Sequence, residues 1–259
     1  MTELKHLAEK LWQSRQRGTL CPFPEQPMSV DQAYALQTAC TVASGDTISG
    51  YKIGATSDET LGVLGLTEPF YGPIYTKYTS YTQPDKPLDL PLIAAHNSRV
   101  EAEFVACLKN PIQRKEKDIV LEELLEHIEW VASGFEFVGS RYTPPTGSRG
   151  TSVIADFGAH QHSVIGAPYR EWRSLDLRSH EVSLTINGDN IASGHSGLSI
   201  YGHPLSLVCW LLNQPAMSQG LGAGQIISCG TCTGAVAVKP GDVVVANYGE
   251  LGTLAVSIL

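Results

Sequence analysis

Short strand-like runs, separated by glycine, proline and asparagine, fill the chain from residue 91 onward. One of them, residues 182–186, leads into Asn187-Gly188, a pair that favours a type I′ hairpin turn because both of its central positions need positive φ. Similar runs cover residues 225–229, 242–247 and 253–258, and helices are predicted around residues 121–128 and 204–212. The pattern predicts an α+β chain whose C-terminal two thirds are rich in β-strand.

The first 80 residues have a helical and mixed character instead. Apolar residues with the spacing of an amphipathic helix lie at positions 4, 7, 8, 11 and 12. A second helix is predicted to begin after Ser29, which forms a capping box with Gln32, and to end near Gly45. A proline-rich connector, residues 21–27, separates the two helices. We therefore divide the chain into a region 1–80 and a β-rich region 81–259.

The charge balance excludes two classes of partner. The chain has 18 Lys and Arg against 26 Asp and Glu, a net charge of −8, and no run of like charges. Nucleic acids and anionic membranes bind clustered positive charge, so neither is expected as a partner. The longest apolar stretch, residues 205–212, is too short to span a bilayer, and the charged N-terminus does not resemble a signal peptide. These features predict a cytoplasmic protein.

Two glutamates share one face of a predicted strand at residues 99–108. Side chains alternate along a strand, so the even-numbered residues from Val100 to Leu108 form an apolar stripe and Glu101 and Glu103 project from the other face. Neighbouring carboxylates repel each other unless water or a cation separates them, and hard divalent cations prefer such oxygens. Two solvated acids on a half-exposed strand are the equally weighted alternative.

A second strand, residues 130–138, carries a single acid in an apolar run. Burying Glu136 there is costly unless the carboxylate is paired or bound to a metal. If this strand lies beside the first, Glu136 joins Glu101 and Glu103 in a site of three carboxylates. The alternative is an edge strand that leaves Glu136 in solvent.

The motifs in this chain, taken in order, resemble those of a known family. They are Gly50-Tyr51-Lys52-Ile53-Gly54, Glu101-x-Glu103, Glu136 ahead of Ser140-Arg141, Gly202-His203-Pro204, Cys229-Gly-Thr-x-Thr-Gly234, and a C-terminal pattern at 238–252. The order and spacing are similar to the 2-keto-4-pentenoate hydratase and 4-oxalocrotonate decarboxylase group of the fumarylacetoacetate hydrolase superfamily. The resemblance covers nearly the whole chain. It implies that residues 81–259 form a β-rich catalytic roll of that type, preceded by a small helical and mixed region.

The resemblance also assigns roles to residues. Glu101, Glu103 and Glu136 match positions that bind Mg²⁺ or Mn²⁺, and Lys52 matches the active-site lysine of a Gly-x-Lys-x-Gly turn. The alternative for Lys52 is a solvent-exposed loop lysine.

Three further residues match positions around the family's substrate. They are Asp156, Thr231 and Thr233. A structural role, as a buried acid or a turn cap, is about equally expected for each of them.

The implied activity is a metal-dependent hydratase of an unsaturated 2-oxo or 2-hydroxy acid in aromatic-compound breakdown, with the metal stabilising an enolate. A decarboxylase or an acylpyruvate-type hydrolase of the same group is the alternative. The family implies a homo-oligomer, and hydratases and decarboxylases of the group associate with each other. A catalytically weakened partner subunit of such a complex is the non-enzyme alternative.

Three positions depart from the family pattern. Phe70 stands where an acid is common, Gly139 stands where an aspartate often precedes Ser-Arg, and Ala159 ends a segment that usually reads Asp-Asn-Ala-Ser. The departures spare the proposed metal ligands but put the usual water addition in doubt. His160 and His162 are candidate replacements for the lost proton-transfer groups, with core or exposed histidines the preferred interpretation.

Cys229 and Cys232 have the spacing of a redox motif, and Cys232 lies between glycines as in a nucleophile elbow. Either motif requires a helix directly after it, and no helix is predicted there. The six cysteines lie mostly in apolar runs, where a thiol behaves as a small hydrophobic side chain. We therefore expect neither a redox nor a hydrolytic cysteine.

Overall fold

The computed structural model of the chain describes residues 2–23, 27–82, 87–113, 117–143 and 150–259. The α-helices among them are α1 (Thr2–Arg17), α2 (Val30–Ser44), α3 (Asp58–Leu64), α4 (Leu121–Leu125), α5 (Gly150–Ala155) and α6 (Pro204–Leu212). The strands are β1 (Ile48–Gly54), β2 (Phe70–Tyr75), β3 (Thr79–Tyr81), β4 (Leu88–Leu90), β5 (Arg99–Leu108), β6 (Ile128–Val138), β7 (His160–Ile165), β8 (Val182–Ile186), β9 (Asp189–Gly194), β10 (Ile226–Thr231), β11 (Val236–Ala237), β12 (Val243–Asn247) and β13 (Thr253–Ile258). The predicted α+β class is confirmed.

The strands form two mixed sheets. The larger sheet has the order β2-β1-β10-β5-β6-β7-β3, with β11 beside the start of β5, and the smaller has the order β4-β13-β12-β8-β9. β5 is central in the larger sheet because β6 pairs along one of its edges while β10 and β11 pair along the other. The two strands that carry the glutamates are therefore interior strands.

Several predicted elements are confirmed. Ser29 and Gln32 form the capping box of α2, and Gly45 ends that helix with φ of 63°. Asn187 and Gly188 have φ of 54° and 89°, as the hairpin turn between β8 and β9 requires. Part of the proline-rich connector, residues 24–26, lies outside the described residues.

Two local predictions are wrong. The helix expected over 121–128 ends at Leu125, because Ile128 already begins β6. Residues 50–54, expected to form a turn, lie within β1. Gly50 allows β10 to pair there because it has no side chain. A Cβ on Gly50 would lie 1.8 Å from the Ile226 carbonyl oxygen.

The main core lies between the larger sheet, α6 and the smaller sheet. The apolar stripe of β5 that begins at Val100 faces this core, as predicted, together with Leu205 of α6 and Val244 of β12. The other face of β5 is also buried, since Val105 packs with Trp130 in a separate cluster. Glu101 and Glu103 therefore share their face of the sheet with apolar side chains.

The division at residue 80 stays a prediction, and β1, β2 and β3 pair into the same sheet as β5, β6 and β7. Within the described part of the chain, none of the helices is both apolar enough and long enough to cross a bilayer.

Candidate active site

Glu101, Glu103 and Glu136 meet on one face of the larger sheet. β5 and β6 run antiparallel with Glu101 directly opposite Glu136, and side chains in such a pair point to the same side. One carboxylate oxygen from each residue lies within 4.8 Å of those of the other two. Glu103 is 1% exposed and Glu136 is fully buried, whereas Glu101 is half-buried. The alternatives of solvated acids and of an exposed edge strand are therefore wrong.

Burial makes these carboxylates costly to ionise. It raises the pKa of Glu101 and of Glu136, the latter to about 7, and together with the neighbouring carboxylates it raises the pKa of Glu103 well above its usual range. Both oxygens of Glu136 are buried; Oε1 lies 3.2 Å from the Lys52 ammonium, and Oε2 accepts no hydrogen bond from the described residues. Three oxygen donors that converge on one point, with lone pairs left unused, have the chemistry of a hard divalent-cation site.

The cost of ionising the buried Glu136 carboxylate predicts how the stability of the Glu136→Gln variant depends on pH without metal. The pKa of Glu136 is about 7 in the folded protein and 4.5 is its ordinary value, so in this window the folded chain retains a proton that the unfolded chain has lost. The stability contribution of Glu136 therefore falls as pH rises from about 5 to about 7. We expect Glu136→Gln to become more stable relative to wild type across that window, by up to about 2 kcal/mol.

Urea unfolding of both proteins in the presence of EDTA measures this difference. The difference between the proteins is needed because the buried histidines have lowered pKa values and change the total stability in the opposite sense. A stability difference that shrinks as pH rises would contradict the expectation.

Lys52 reaches the glutamates from β1. Its Nζ lies 3.2 Å from Oε1 of Glu136, the side chain is 3% exposed, and the ring of Phe70 lies 4.9 Å from Nζ. Burial lowers the pKa of Lys52, but the Glu136 carboxylate and its two neighbours outweigh this effect and raise the pKa. Lys52 is thus a buried ammonium, and the exposed-loop alternative is wrong.

The segment that follows α5 packs against the side chain of Lys52. Phe157, Gly158 and Ala159 all have positive φ, near 60°. A Cβ on Gly158 would lie 3.1 Å from Cδ of Lys52. Three successive left-handed residues are a costly conformation, which here holds the chain close to the lysine side chain.

Glu103 is fixed by two donors from β10 and its bulge. Oε2 accepts from Ser228 Oγ at 2.5 Å and from the Gly230 backbone N–H at 3.0 Å. Gly230 has φ of 84°, so the left-handed conformation turns its N–H toward the carboxylate. Sequence reasoning missed Ser228, although its place in the strand before the Gly-rich turn was a usable signal.

Tyr248 connects the smaller sheet to the glutamate strands. Its hydroxyl accepts from the Glu103 backbone N–H at 3.0 Å and donates to the Gly134 carbonyl at 2.5 Å. Glu103 and Gly134 are opposite residues of β5 and β6, so the phenol contacts both glutamate strands at this pair. No pattern in the sequence indicated this role.

We expect Tyr248→Phe to destabilise the protein by about 2 kcal/mol, because it leaves a buried N–H and a buried carbonyl without a partner. Urea unfolding measures the change. Tyr81→Phe is the matched control, since Tyr81 is 58% exposed. Equal stabilities of the Tyr248 variant and wild type would contradict the assigned contact.

The structure separates the three predicted substrate contacts. Asp156 is 1% exposed, and Arg141 occupies both of its oxygens, with Nε at 2.6 Å and the backbone N–H at 2.8 Å. Its geometry therefore favours the structural alternative. Thr231 lies opposite Glu103 in the sheet, and Thr233 Oγ1 accepts from the Ala102 N–H. Both threonines are beside the glutamates and remain candidate substrate contacts.

The remaining candidates do not join the glutamates. His160 is fully buried, with Nε2 at 2.9 Å from Ser163 Oγ, and His162 Nε2 contacts Ser80 Oγ. Cys229 and Cys232 are buried free thiols, and burial raises the pKa of each. Neither cysteine has the lowered pKa of a reactive thiol.

A buried lysine beside three converging carboxylates, within a β-rich fold, is the candidate active site. Residues 66–259 match the family model described as fumarylacetoacetate (FAA) hydrolase C-terminal, which is most of the chain. The chain belongs to the fumarylacetoacetate hydrolase family.

Named relatives narrow the kind of enzyme. A 2-keto-4-pentenoate hydratase of Paraburkholderia xenovorans (strain LB400) is 30% identical over 256 residues, which cover 95% of this chain and 91% of the relative. A 4-oxalocrotonate decarboxylase of Pseudomonas putida is 29% identical over 236 residues, covering 90% and 86%. The solved 4-oxalocrotonate decarboxylase from Pseudomonas putida G7, complexed with magnesium and adipate, superposes with a TM-score of 0.87 at 26% identity and covers 100% of this chain and 98% of its own. The chain is an enzyme of this hydratase and decarboxylase kind.

Proposed function

We propose that the protein is a hydratase of an unsaturated 2-oxo or 2-hydroxy acid in aromatic-compound breakdown, dependent on Mg²⁺ or Mn²⁺. The observation that carries the proposal is the cluster of Glu101, Glu103 and Glu136, in which Glu136 is fully buried and lies 3.2 Å from the Lys52 ammonium. The similar decarboxylase was solved in complex with magnesium, which supports the choice of cation. Hydratases among the relatives support the choice of reaction.

The three glutamates would hold the cation, which supplies Lewis-acid polarisation to the oxygens of a 2-oxo acid. Burial of Glu103 and Glu136 keeps water away from the reacting atoms and strengthens each electrostatic contact. Ser228 and Gly230 fix the Glu103 carboxylate, so little reorganisation is needed when the substrate arrives. Lys52 Nζ donates to a substrate oxygen that gains negative charge, and it can deliver a proton from the same position.

A decarboxylase is the second candidate, and Phe70 favours it. The phenyl ring packs 4.9 Å from Lys52 Nζ, at the position where the resemblance leads us to expect an acid. Adding water across a double bond requires a base that takes a proton from the attacking water and an acid that protonates the neighbouring carbon, whereas releasing CO₂ requires one proton delivery afterwards. The single lysine is sufficient for the second reaction.

The test is a panel of unsaturated 2-oxo acids, with and without a second carboxylate next to the reacting carbon, incubated with the purified protein and Mg²⁺ or Mn²⁺. A hydratase incorporates oxygen from labelled water and releases no CO₂. A decarboxylase releases CO₂. An acylpyruvate-type hydrolase consumes water as it cleaves a carbon–carbon bond, and it releases no CO₂. EDTA should stop turnover in each case. Failure to turn over or bind any member would overturn the proposal and favour the weakened partner subunit.

The proposal extends to location and assembly. Six unpaired cysteines fit a reducing compartment, which supports the cytoplasm. Self-association and a complex with a related decarboxylase or hydratase are proposed with it. Light scattering of the protein alone and mixed with such a partner tests both, and a monomer that shows no shift on mixing would contradict them.

A further inference from the structure

A second cluster of polar groups lies away from the glutamates, around a small cavity beside α1. The cavity has a volume of about 60 Å³. Its polar lining consists of Arg15, Tyr78, His96, Arg141, Gln161 and His162. The proposed reaction uses none of these side chains.

The charges around this cavity do not balance. Arg15 is 3% exposed and Arg141 is fully buried, so two guanidinium groups are enclosed here. Among the described residues, Asp156 is the carboxylate that pairs with Arg141, which occupies both of its oxygens. Burial lowers the pKa of His96 and of His162 to about 4, so both rings are neutral near pH 7. Counted over these described side chains, the cluster therefore carries an excess of one positive charge.

Aromatic rings compensate for part of that charge. The Arg15 guanidinium carbon lies 4.1 Å from the ring centre of Tyr78 and 5.0 Å from that of Phe157. Such contacts stabilise a cation by far less than a buried unpaired charge costs. A counter-ion is still required.

Two buried hydrogen-bond donors at the cavity have no acceptor among the residues that the structure describes. Arg15 donates from its terminal nitrogens to the His160 and Gln161 carbonyls at 2.7 and 3.0 Å, but its Nε has no partner. Gln161 accepts from Ser98 at 2.7 Å through Oε1, which turns its Nε2 away, and that nitrogen also has no partner. Unsatisfied buried donors are rare in folded proteins and indicate a missing acceptor.

Gly139 explains how the Gln161 amide fits. A Cβ at this position would lie 2.4 Å from Gln161 Nε2, so a side chain on residue 139 would displace the amide. The glycine leaves the amide in place and brings no acceptor of its own. An acceptor for this donor must therefore come from outside the residues that line the cavity.

We propose that this cavity binds a small monovalent anion, a halide or a short carboxylate, through Arg15 and Gln161. The anion supplies the missing negative charge and accepts from Arg15 Nε and Gln161 Nε2. The volume admits an ion of the size of chloride, formate or acetate.

The site is connected to the glutamates by a chain of contacts. Arg15 Nη2 lies 3.3 Å from Nδ1 of His160, whose Nε2 contacts Ser163 Oγ, and Ser163 is the β7 residue opposite Glu136.

Thermal unfolding of the full chain at constant ionic strength tests the proposal. Chloride, formate and acetate should each raise the melting temperature saturably, by about 3 °C, relative to gluconate, and the comparison separates the halide from the carboxylate source. A crystal soaked in bromide should show anomalous scattering next to Arg15 and Gln161. Equal melting temperatures in all four salts, together with no bromide peak, would overturn the proposal.

Gln161→Glu provides an internal test, because it places a negative charge in the cavity. We expect this variant to melt higher than wild type in gluconate and to lose the response to chloride. Gln113→Glu is the matched control, since Gln113 is exposed and its variant should keep the response. An unchanged chloride response in Gln161→Glu would contradict the assigned site, whatever the activity toward 2-oxo acids.

Discussion

Replacing Glu136 by glutamine is expected to remove divalent-cation binding and to lower turnover by more than about 100-fold. The substitution keeps the shape of the side chain and removes the negative charge from the most deeply buried of the three acids. Glu101 and Glu103 alone leave the cation two carboxylates, one of which already accepts from Ser228 and Gly230. The loss should therefore appear in metal affinity and in kcat together.

Calorimetric titration with Mg²⁺ or Mn²⁺ and steady-state kinetics measure the two effects. Glu129→Gln is the matched control, because Glu129 lies on the same strand but pairs with the exposed Arg170 at the surface. The control should bind metal and turn over substrate as wild type does. Because the fold raises the pKa of Glu136, the metal-free variant should remain folded. Wild-type turnover in a folded Glu136→Gln protein would refute the metal site.

The glutamate pair on β5 could be predicted because it follows from a local rule. Alternation of side chains along a strand places Glu101 and Glu103 on one face whatever the rest of the chain does. A single acid in an apolar run also pointed to Glu136. That Glu136 lies opposite Glu101 depends on the register of β5 against β6, which the sequence left open and the structure provides.

Lys52 shows where local rules stop. The glycines around it indicated a turn, but they serve close approach between strands: a Cβ on Gly54 would lie 2.3 Å from the Phe70 ring. β1 forms because β10 and β2 pair on either side of it. β10 is distant in the sequence, and α3 separates β2 from β1. Packing between remote segments therefore outweighed the local turn preference.

The contacts that support the site could not be predicted for the same reason. Tyr248 reaches Glu103 across 145 positions of sequence, and Arg15 reaches His160 across the same separation. A tyrosine directly after a strand and an arginine in a helix are ordinary residues there. Their roles depend on which segments the fold brings together, and single-sequence patterns do not record this.

Lys52→Met is expected to lower kcat by about 100-fold or more while leaving divalent-cation affinity intact or higher. Methionine keeps an unbranched apolar stem against Gly158 and Phe70 and removes the ammonium group. That ammonium lies 3.2 Å from Glu136 Oε1, so it competes with a bound cation for the negative charge of the carboxylates. Removing a competing positive charge cannot weaken metal binding through electrostatics.

A lower kcat together with an equal or higher divalent-cation affinity separates a catalytic role of Lys52 from a structural one. Without metal, Lys52→Met leaves three carboxylates uncompensated, so it should melt below wild type at about pH 8 and recover when Mg²⁺ is added. Lys77→Met is the control, because Lys77 is exposed and distant from the glutamates. Parallel loss of metal affinity and turnover would mean that Lys52 only maintains the geometry of the site. Full turnover with unchanged metal affinity would remove the lysine from the mechanism and leave proton delivery to another donor at the glutamates.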